Sequence, residues 1–339
     1  MLSKLLTPLL LTSFSLTPVH ASLTIAANLA VIEYTPMKIA LEDFYPTPPN
    51  ITIINGGVPN LFSANTTTLT DLASNAETQA LRSYPSHRNL RTIYTISEVA
   101  YRLVTSSPSS LHPRLESLKG KRIGTIPATS AGYFVEALLD NAGVSPSSYT
   151  VVSGAHCLAA PCANDTLPAM LASGRVDAVA LWEPTVELAA RALRAANNNG
   201  TGVVFFQDEG VYREIYSLYS TAETLADPVK RGEVVRFVGA LDRAVRVFEG
   251  EMERVVGRVA RAVVPAVEEG LLRDVWGVHG WKGGLPADLL DVLVREDAYV
   301  ARVEGRERLT RRELEALVDR SVLREVRGED GEEEEEEER

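Results

Sequence analysis

The sequence predicts an α/β protein built as two lobes with a helical C-terminal part, on three observations. Short apolar segments of strand length alternate with helical patterns from residue 23 to residue 206, the arrangement of sheets layered with helices. The chain has 339 residues and is 45% hydrophobic; setting aside its unusual ends leaves about 300 residues, enough for two cores. From Thr221 onward the pattern becomes chiefly helical, with apolar residues at Val234, Val238, Leu241, Val245 and Phe248 in the i, i+3/i+4 spacing of a buried helix face.

The elements follow in order. Leu23 to Ala26 reads as a first strand, and Thr35-Pro36 caps and opens a helix to about Phe44. Ile51 to Ile54 is a second strand, broken by Asn55-Gly56-Gly57. Asp71 begins a strand that passes into a helix through Ser74-Asn75-Ala76-Glu77. Leu90 to Thr95 and Tyr101 to Thr105 are further strands, and the Ser/Pro-rich stretch from Ser106 to Pro113 reads as a linker crossing between lobes. Ile123 to Ile126 opens a new unit, with Thr129-Ser130 capping a helix to about Leu139 and a strand at Tyr149 to Val152. A helix from Leu167 to Ala172 stops at Gly174, a strand follows at Val176 to Leu181, and Pro184 starts a helix to about Ala195. Val203 to Phe206 is the last strand before the helical region. These boundaries predict a first lobe from residues 22–105 and 210–326 and a second lobe from residues 106–209.

The ends carry addresses rather than fold. Lys4, the apolar run from Leu5 to Leu16 and the small-x-small pattern Val19-His20-Ala21 make residues 1–21 a secretory signal peptide. That run is too short and too interrupted to span a bilayer, and no other stretch of spanning length exists. The mature chain is expected to start near Ser22 and to be extracellular. Four sequons, at Asn50, Asn65, Asn164 and Asn199, predict N-glycosylation and hence a eukaryotic source. The only two cysteines, Cys157 and Cys162, are close enough to form a disulfide in an oxidising compartment, and their spacing suits neither a metal nor a redox pair. The net charge is −11, of which −7 belongs to residues 327–339 with their run from Glu332 to Glu338. Such a run repels itself and reads as a solvated tail. What remains is mildly acidic, which argues against nucleic acid or an anionic membrane as partner.

Leu118-Lys-Gly-Lys-Arg-Ile-Gly, Thr129-Ser-Ala-Gly-Tyr-Phe, Ala172-Ser-Gly-Arg-Val-Asp-Ala-Val and Trp182-Glu-Pro occur in an order and spacing that resemble one family. It is the type II periplasmic-binding-protein family of substrate-binding proteins for alkanesulfonates, nitrate and thiamine-type pyrimidines, the SsuA/THI5-like group. Asp71-Leu-Ala-Ser-Asn-Ala-Glu is similar to that family's first-lobe strand and ligand-contacting helix start, so the likeness spans Leu23 to about Ala190. The resemblance implies a periplasmic-binding-protein-like II fold, with two lobes that close over a small molecule and a Trp-Glu-Pro loop facing it. It implies no catalytic residue and no cofactor. A membrane permease, the partner of bacterial relatives, is doubtful for a glycosylated chain, and a monomer is expected.

Ligands in such sheets sit at strand carboxyl ends beside helix N-termini. The candidate ligand-binding residues are therefore Glu33, Tyr34, Asn75, Glu77, Ser97, Glu98, Thr129, Ser130, Ala131, Trp182 and Glu183. Thr129, Ser130 and the Ala131 amide suit an anion or simply cap their helix. Ser74 and Glu77 have capping-box spacing, which leaves Asn75 as the better donor to a ligand. Four carboxylates, two aromatic rings and no Lys or Arg on these loops point to a protonated amine or a polar nitrogen heterocycle. Two other readings stand beside this one. The thiamine-pyrimidine synthase shares the fold, but its cysteine-rich iron motif is missing here and its pyridoxal-anchoring lysine has no counterpart among Lys38, Lys119 and Lys121. A secreted interaction protein with a lost ligand site fits the tail and sequons equally well.

Overall fold

The structure, a computed structural model, describes residues 22–46, 50–63, 70–107, 114–196 and 202–328. The signal-peptide segment, the sequons at Asn65 and Asn199 and residues 329–339 of the acidic tail lie outside the described residues.

The described chain forms two mixed sheets. Strands β1 (Leu23–Ala27), β2 (Ile51–Asn55), β3 (Leu72–Ala76) and β4 (Leu90–Val99) belong to the first sheet. Strands β5 (Arg102–Ser107), β6 (Arg122–Thr125), β7 (Thr150–Ser153), β8 (Ala178–Leu181) and β9 (Gly202–Phe206) make the second, in the order β7-β6-β8-β5-β9. Strands β10 (Glu214–Thr221) and β11 (His279–Gly280) return to the first, whose order is β11-β4-β10-β3-β1-β2. The parallel pairs β1–β2, β1–β3, β6–β7 and β6–β8 are joined through intervening segments as parallel strands require.

Two crossings connect the lobes, at Ala100-Tyr101 between β4 and β5 and at residues 207–213 between β9 and β10. The expected boundary at residue 105 is therefore corrected: β5 pairs with β8 and β9, so the second lobe begins near Arg102. The crossing is the Ala100-Tyr101 step, not the Ser/Pro-rich stretch from Ser106 to Pro113, most of which lies outside the described residues.

The helices cover both sheets. In chain order they are α1 (Thr35–Asp43), α2 (Glu77–Ser83), α3 (Ser130–Asn141), α4 (Leu167–Ala172), α5 (Thr185–Ala196), α6 (Ala222–Ala226), α7 (Pro228–Gly250) and α8 (Met252–Ala262). The last four are α9 (Glu269–Val275), α10 (Leu289–Glu304), α11 (Arg311–Glu315) and α12 (Ser321–Arg327). Helix α7 is capped by Asp227, whose carboxylate accepts from the Val229 and Lys230 amides, and it buries Val234, Val238, Leu241, Val245 and Phe248 against the first sheet. That is the predicted stripe. The second lobe has its own core around Leu103, Ile123, Phe134, Leu138, Val179 and Val186.

Strand β10 went unseen in the sequence, where the helical region begins at Thr221. All eight of its residues are buried because it lies between β3 and β4. A strand covered on both faces shows no polar–apolar alternation, so Glu214, Ser217 and Ser220 disguise it. Strand β4 also runs four residues past its predicted end, which puts Ser97 and Glu98 in a ladder with β10 rather than in a loop.

Candidate functional site

A cavity of about 120 Å³ lies between the lobes. The first lobe supplies Asn28 and Val31 after β1, Glu33 in the single turn Ile32–Tyr34, Asn75 and Ala76 at the end of β3, Thr78 and Gln79 in α2, and Glu214 and Tyr216 on β10. The second lobe supplies Thr129 and Ser130 at the start of α3 and Trp182 after β8. These are strand carboxyl ends and helix starts, where an open α/β sheet exposes backbone and side-chain polar groups.

Five of the predicted residues meet here: Glu33, Asn75, Thr129, Ser130 and Trp182. Asn75 Oδ1 accepts from the Val58 amide at 2.9 Å, which fixes its side chain at the wall. Thr129 is the N-cap of α3, donating to the Ile126 carbonyl at 2.7 Å while its oxygen accepts weakly from the Gly132 amide at 3.5 Å. Ser130 reaches across the cleft to Glu214, 3.4 Å away. Trp182 is half-buried and packs against both lobes' cores.

The other six lie elsewhere. Tyr34 donates its hydroxyl to the Ala262 carbonyl within the core, and burial pushes the phenol up to about 12. Ala131 is a core residue of the second lobe. Glu77 is no capping-box residue: its carboxylate accepts from the Tyr212 hydroxyl at 2.8 Å and the Ile215 amide at 2.7 Å, so it anchors the second crossing to α2. Ser97 is buried inside β4. Glu98 pairs with Arg213, which also holds Asp288 at 2.7 Å. Glu183 accepts from Arg102 Nε at 2.8 Å and from the Glu187 amide at 3.1 Å. The expected set of four cleft carboxylates is thus corrected. Two of them have arginine partners that are far away in sequence, at separations no loop-by-loop reading brings together.

The cavity's second carboxyl, Glu214, comes from the strand that the sequence concealed. Its Oε1 accepts from the Tyr101 hydroxyl at 2.8 Å, and Tyr101 and Ser130 hydroxyls are 3.0 Å apart. Burial first, then the charges of Glu33 and Glu77, push the Glu214 carboxyl well above the usual carboxylate range. Tyr101 stands at the first crossing and Tyr212 at the second, their rings edge-to-face at 5.4 Å. Both crossings are therefore braced by phenols that donate to buried acids of the first lobe. The tyrosines Tyr216 and Tyr219, flanking Leu218 after Ile215, were the strand-favouring signal that would have exposed β10.

Glu33 is 1% exposed and its Oε1 lies 3.2 Å from His279 Nε2, while Oε2 has no hydrogen-bond partner. Thr78 Oγ1, on the same wall, is also buried and unpartnered. Buried polar atoms are almost always paired in folded proteins; these two stand on one cavity wall. No Lys or Arg lines the cavity among the described residues.

The predicted disulfide is present between Cys157 and Cys162. Both cysteines of the chain are used in it, so no free thiol remains. Among the described residues no helix is long and apolar enough to cross a membrane.

The family model described as NMT1/THI5 like matches residues 56–248. No curated protein matches the chain. Among solved structures, the alkanesulfonate-binding protein SsuA from Xanthomonas axonopodis pv. citri, bound to MOPS, superposes with a TM-score of 0.64 at 19% identity, covering 89% of this chain and 99% of that one. The desulfurization enzyme DSZB in complex with biphenyl-2-sulfinic acid gives 0.61 at 14% identity, covering 92% and 100%. A conserved Candida albicans gene product, described as founding a new family with the generic periplasmic binding protein structural fold, gives 0.54 at 13% identity, covering 88% and 96%. At these identities the likeness is one of fold, and it confirms the two-lobed periplasmic-binding-protein architecture expected from the sequence.

Proposed function

The chain belongs to the NMT1/THI5-like family, and from that premise we propose that it is a secreted solute-binding protein whose lobes close over a small molecule bearing an amine or a nitrogen heterocycle. The observation that carries this reading is one buried acceptor: Glu33 Oε2 is unpartnered and stands in a cavity that, among the described residues, no Lys or Arg lines. A ligand offering N–H donors satisfies such an acceptor, whereas an anionic sulfonate or nitrate would meet carboxyls without a compensating cation. Trp182 supplies a ring from the opposite lobe against which a flat or cationic group can lie.

Export suits the same reading. The disulfide belongs to an oxidising compartment, and the sequon residues Asn50 and Asn164 are both exposed. The ligand-contacting set is Glu33, Asn75, Thr129, Ser130 and Trp182, joined by Glu214, Tyr216 and Thr78.

A thermal-shift screen of amines, thiamine-pathway pyrimidines, alkanesulfonates and nitrate tests the ligand class. Stabilisation by a nitrogenous compound, lost in Asn75→Ala and retained in a surface variant such as Lys38→Ala, is expected. Stabilisation by sulfonate or nitrate in preference to every amine and pyrimidine would overturn the class. The likeness to the desulfurization enzyme DSZB supplies a catalytic alternative within the same fold.

A further inference from the structure

His279 and Glu33 are separated by 246 positions in sequence and meet at the floor of the cleft. His279 sits on the two-residue strand β11, where it pairs with Val99 of β4. Its side chain is fully buried. The imidazole lies flat on Trp281, with ring centroids 5.1 Å apart and planes within 5°. Trp281 is itself clamped by Phe248 and Trp276 at 4.9 and 5.5 Å. The ring thus has one orientation.

In that orientation each ring nitrogen faces an acceptor. Nδ1 is 3.1 Å from the Val275 carbonyl oxygen, which can only accept, so Nδ1 carries a proton. Nε2 is 3.2 Å from Glu33 Oε1. A neutral imidazole protonated at Nδ1 would turn a lone pair toward a carboxylate, two acceptors facing each other. An imidazole set between a carbonyl and a carboxylate is instead satisfied by a proton on each nitrogen.

We propose that His279 is a positioning residue of the cleft: doubly protonated, it holds Glu33 as a buried carboxylate whose second oxygen, Oε2, is kept as an acceptor for a hydrogen-bond donor on the ligand. This rests on the solute-binding reading for its purpose, though not for its geometry. Glu33 is shielded from the cost of a lone buried charge by a cation that never enters the cavity, because His279 stands behind it and is not among the lining residues. The wall therefore offers an ionised acceptor with no Lys or Arg beside it among the described residues. Glu214, the other cavity carboxyl, is met only by hydroxyls and has no such cation.

The test is nitrogen-15 NMR of the full chain labelled at histidine, at neutral pH and without ligand, with the 279 ring identified by its loss in His279→Gln. The expected spectrum shows protons on both ring nitrogens in the wild type. Glu33→Gln removes the proton from Nε2 and leaves that on Nδ1. A wild-type ring with one protonated nitrogen overturns the proposal, and so does a Glu33→Gln spectrum identical to that of the wild type. The wild-type spectrum decides alone if Glu33→Gln does not fold. Because no ligand is present, failure here is distinct from failure of the ligand screen.

Discussion

Two buried carboxyls, one from each lobe, are held in different ways. On the second-lobe side, Glu183 is 3% exposed and receives Arg102, which also stacks on Phe205 at 4.4 Å. On the first-lobe side, Glu214 is 5% exposed and receives only the hydroxyls of Tyr101 and Ser130. An acid closed off by arginine and a backbone amide has its bonding completed by the protein and serves the fold. An acid met by hydroxyls at the cavity surface keeps capacity for something else. Completed bonding, rather than position in a cleft loop, is thus what sets Glu183 apart from the cavity carboxyls, of which Glu33 keeps one oxygen unpartnered.

The largest effect that would break this comparison is expected at Arg102. Arg102→Ala leaves Glu183 buried and unpaired, a loss of about 3–5 kcal/mol in general for such pairs, read by denaturant unfolding. A loss below about 1 kcal/mol, the level of an exposed pair, would show that Glu183 is not held as described.

Next in size is the disulfide. Cys157 and Cys162 are five positions apart, and closing so short a loop is worth roughly 2 kcal/mol by chain entropy. The double variant Cys157→Ser, Cys162→Ser should fold and lose about that much by the same measurement. The ligand shift should survive, because neither cysteine lines the cavity.

A smaller, pH-dependent effect sharpens the contrast at Glu214. Burial and neighbouring acids hold its carboxyl protonated to a pH above the ordinary value of 4.5. As pH rises through 4.5 the unfolded chain releases this proton while the folded chain keeps it, so stability falls until the folded carboxyl also ionises. Glu214→Gln removes the group and should flatten that decline, by ~1.4 kcal/mol for each pKa unit between the two states. Melting temperatures of both proteins from pH 4 to pH 8 check it, and parallel profiles would contradict it.

The smallest effect is at the surface. Asn50→Gln and Asn164→Gln should each remove one glycan from protein secreted by a eukaryotic host, seen as a mobility step on gels. Stability should change by less than about 0.5 kcal/mol, as for exposed positions in general.

Much of the fold was legible because its elements have one buried face or strong punctuation. Helix α7 shows its stripe, and α4 ends before Gly174 in the left-handed region at φ 69°. The candidate site was half legible. Thr129, Ser130, Asn75 and Trp182 stand at strand ends and helix starts that the pattern locates. Glu214 and Tyr216 were hidden in a strand buried on both faces, and His279 in a two-residue strand far along the chain. Glu98 and Glu183 read as site carboxylates because their arginines, Arg213 and Arg102, reach them only through the fold. Sequence locates loops; pairing across the fold decides which of their charges are spent.

Whether the first-lobe wall receives a nitrogenous donor is read by native mass spectrometry of the purified protein. One small nitrogen-containing molecule per chain is expected, retained in Lys38→Ala and lost in Asn75→Ala. A sulfonate or other anion bound instead, with the same dependence on Asn75, would contradict this expectation.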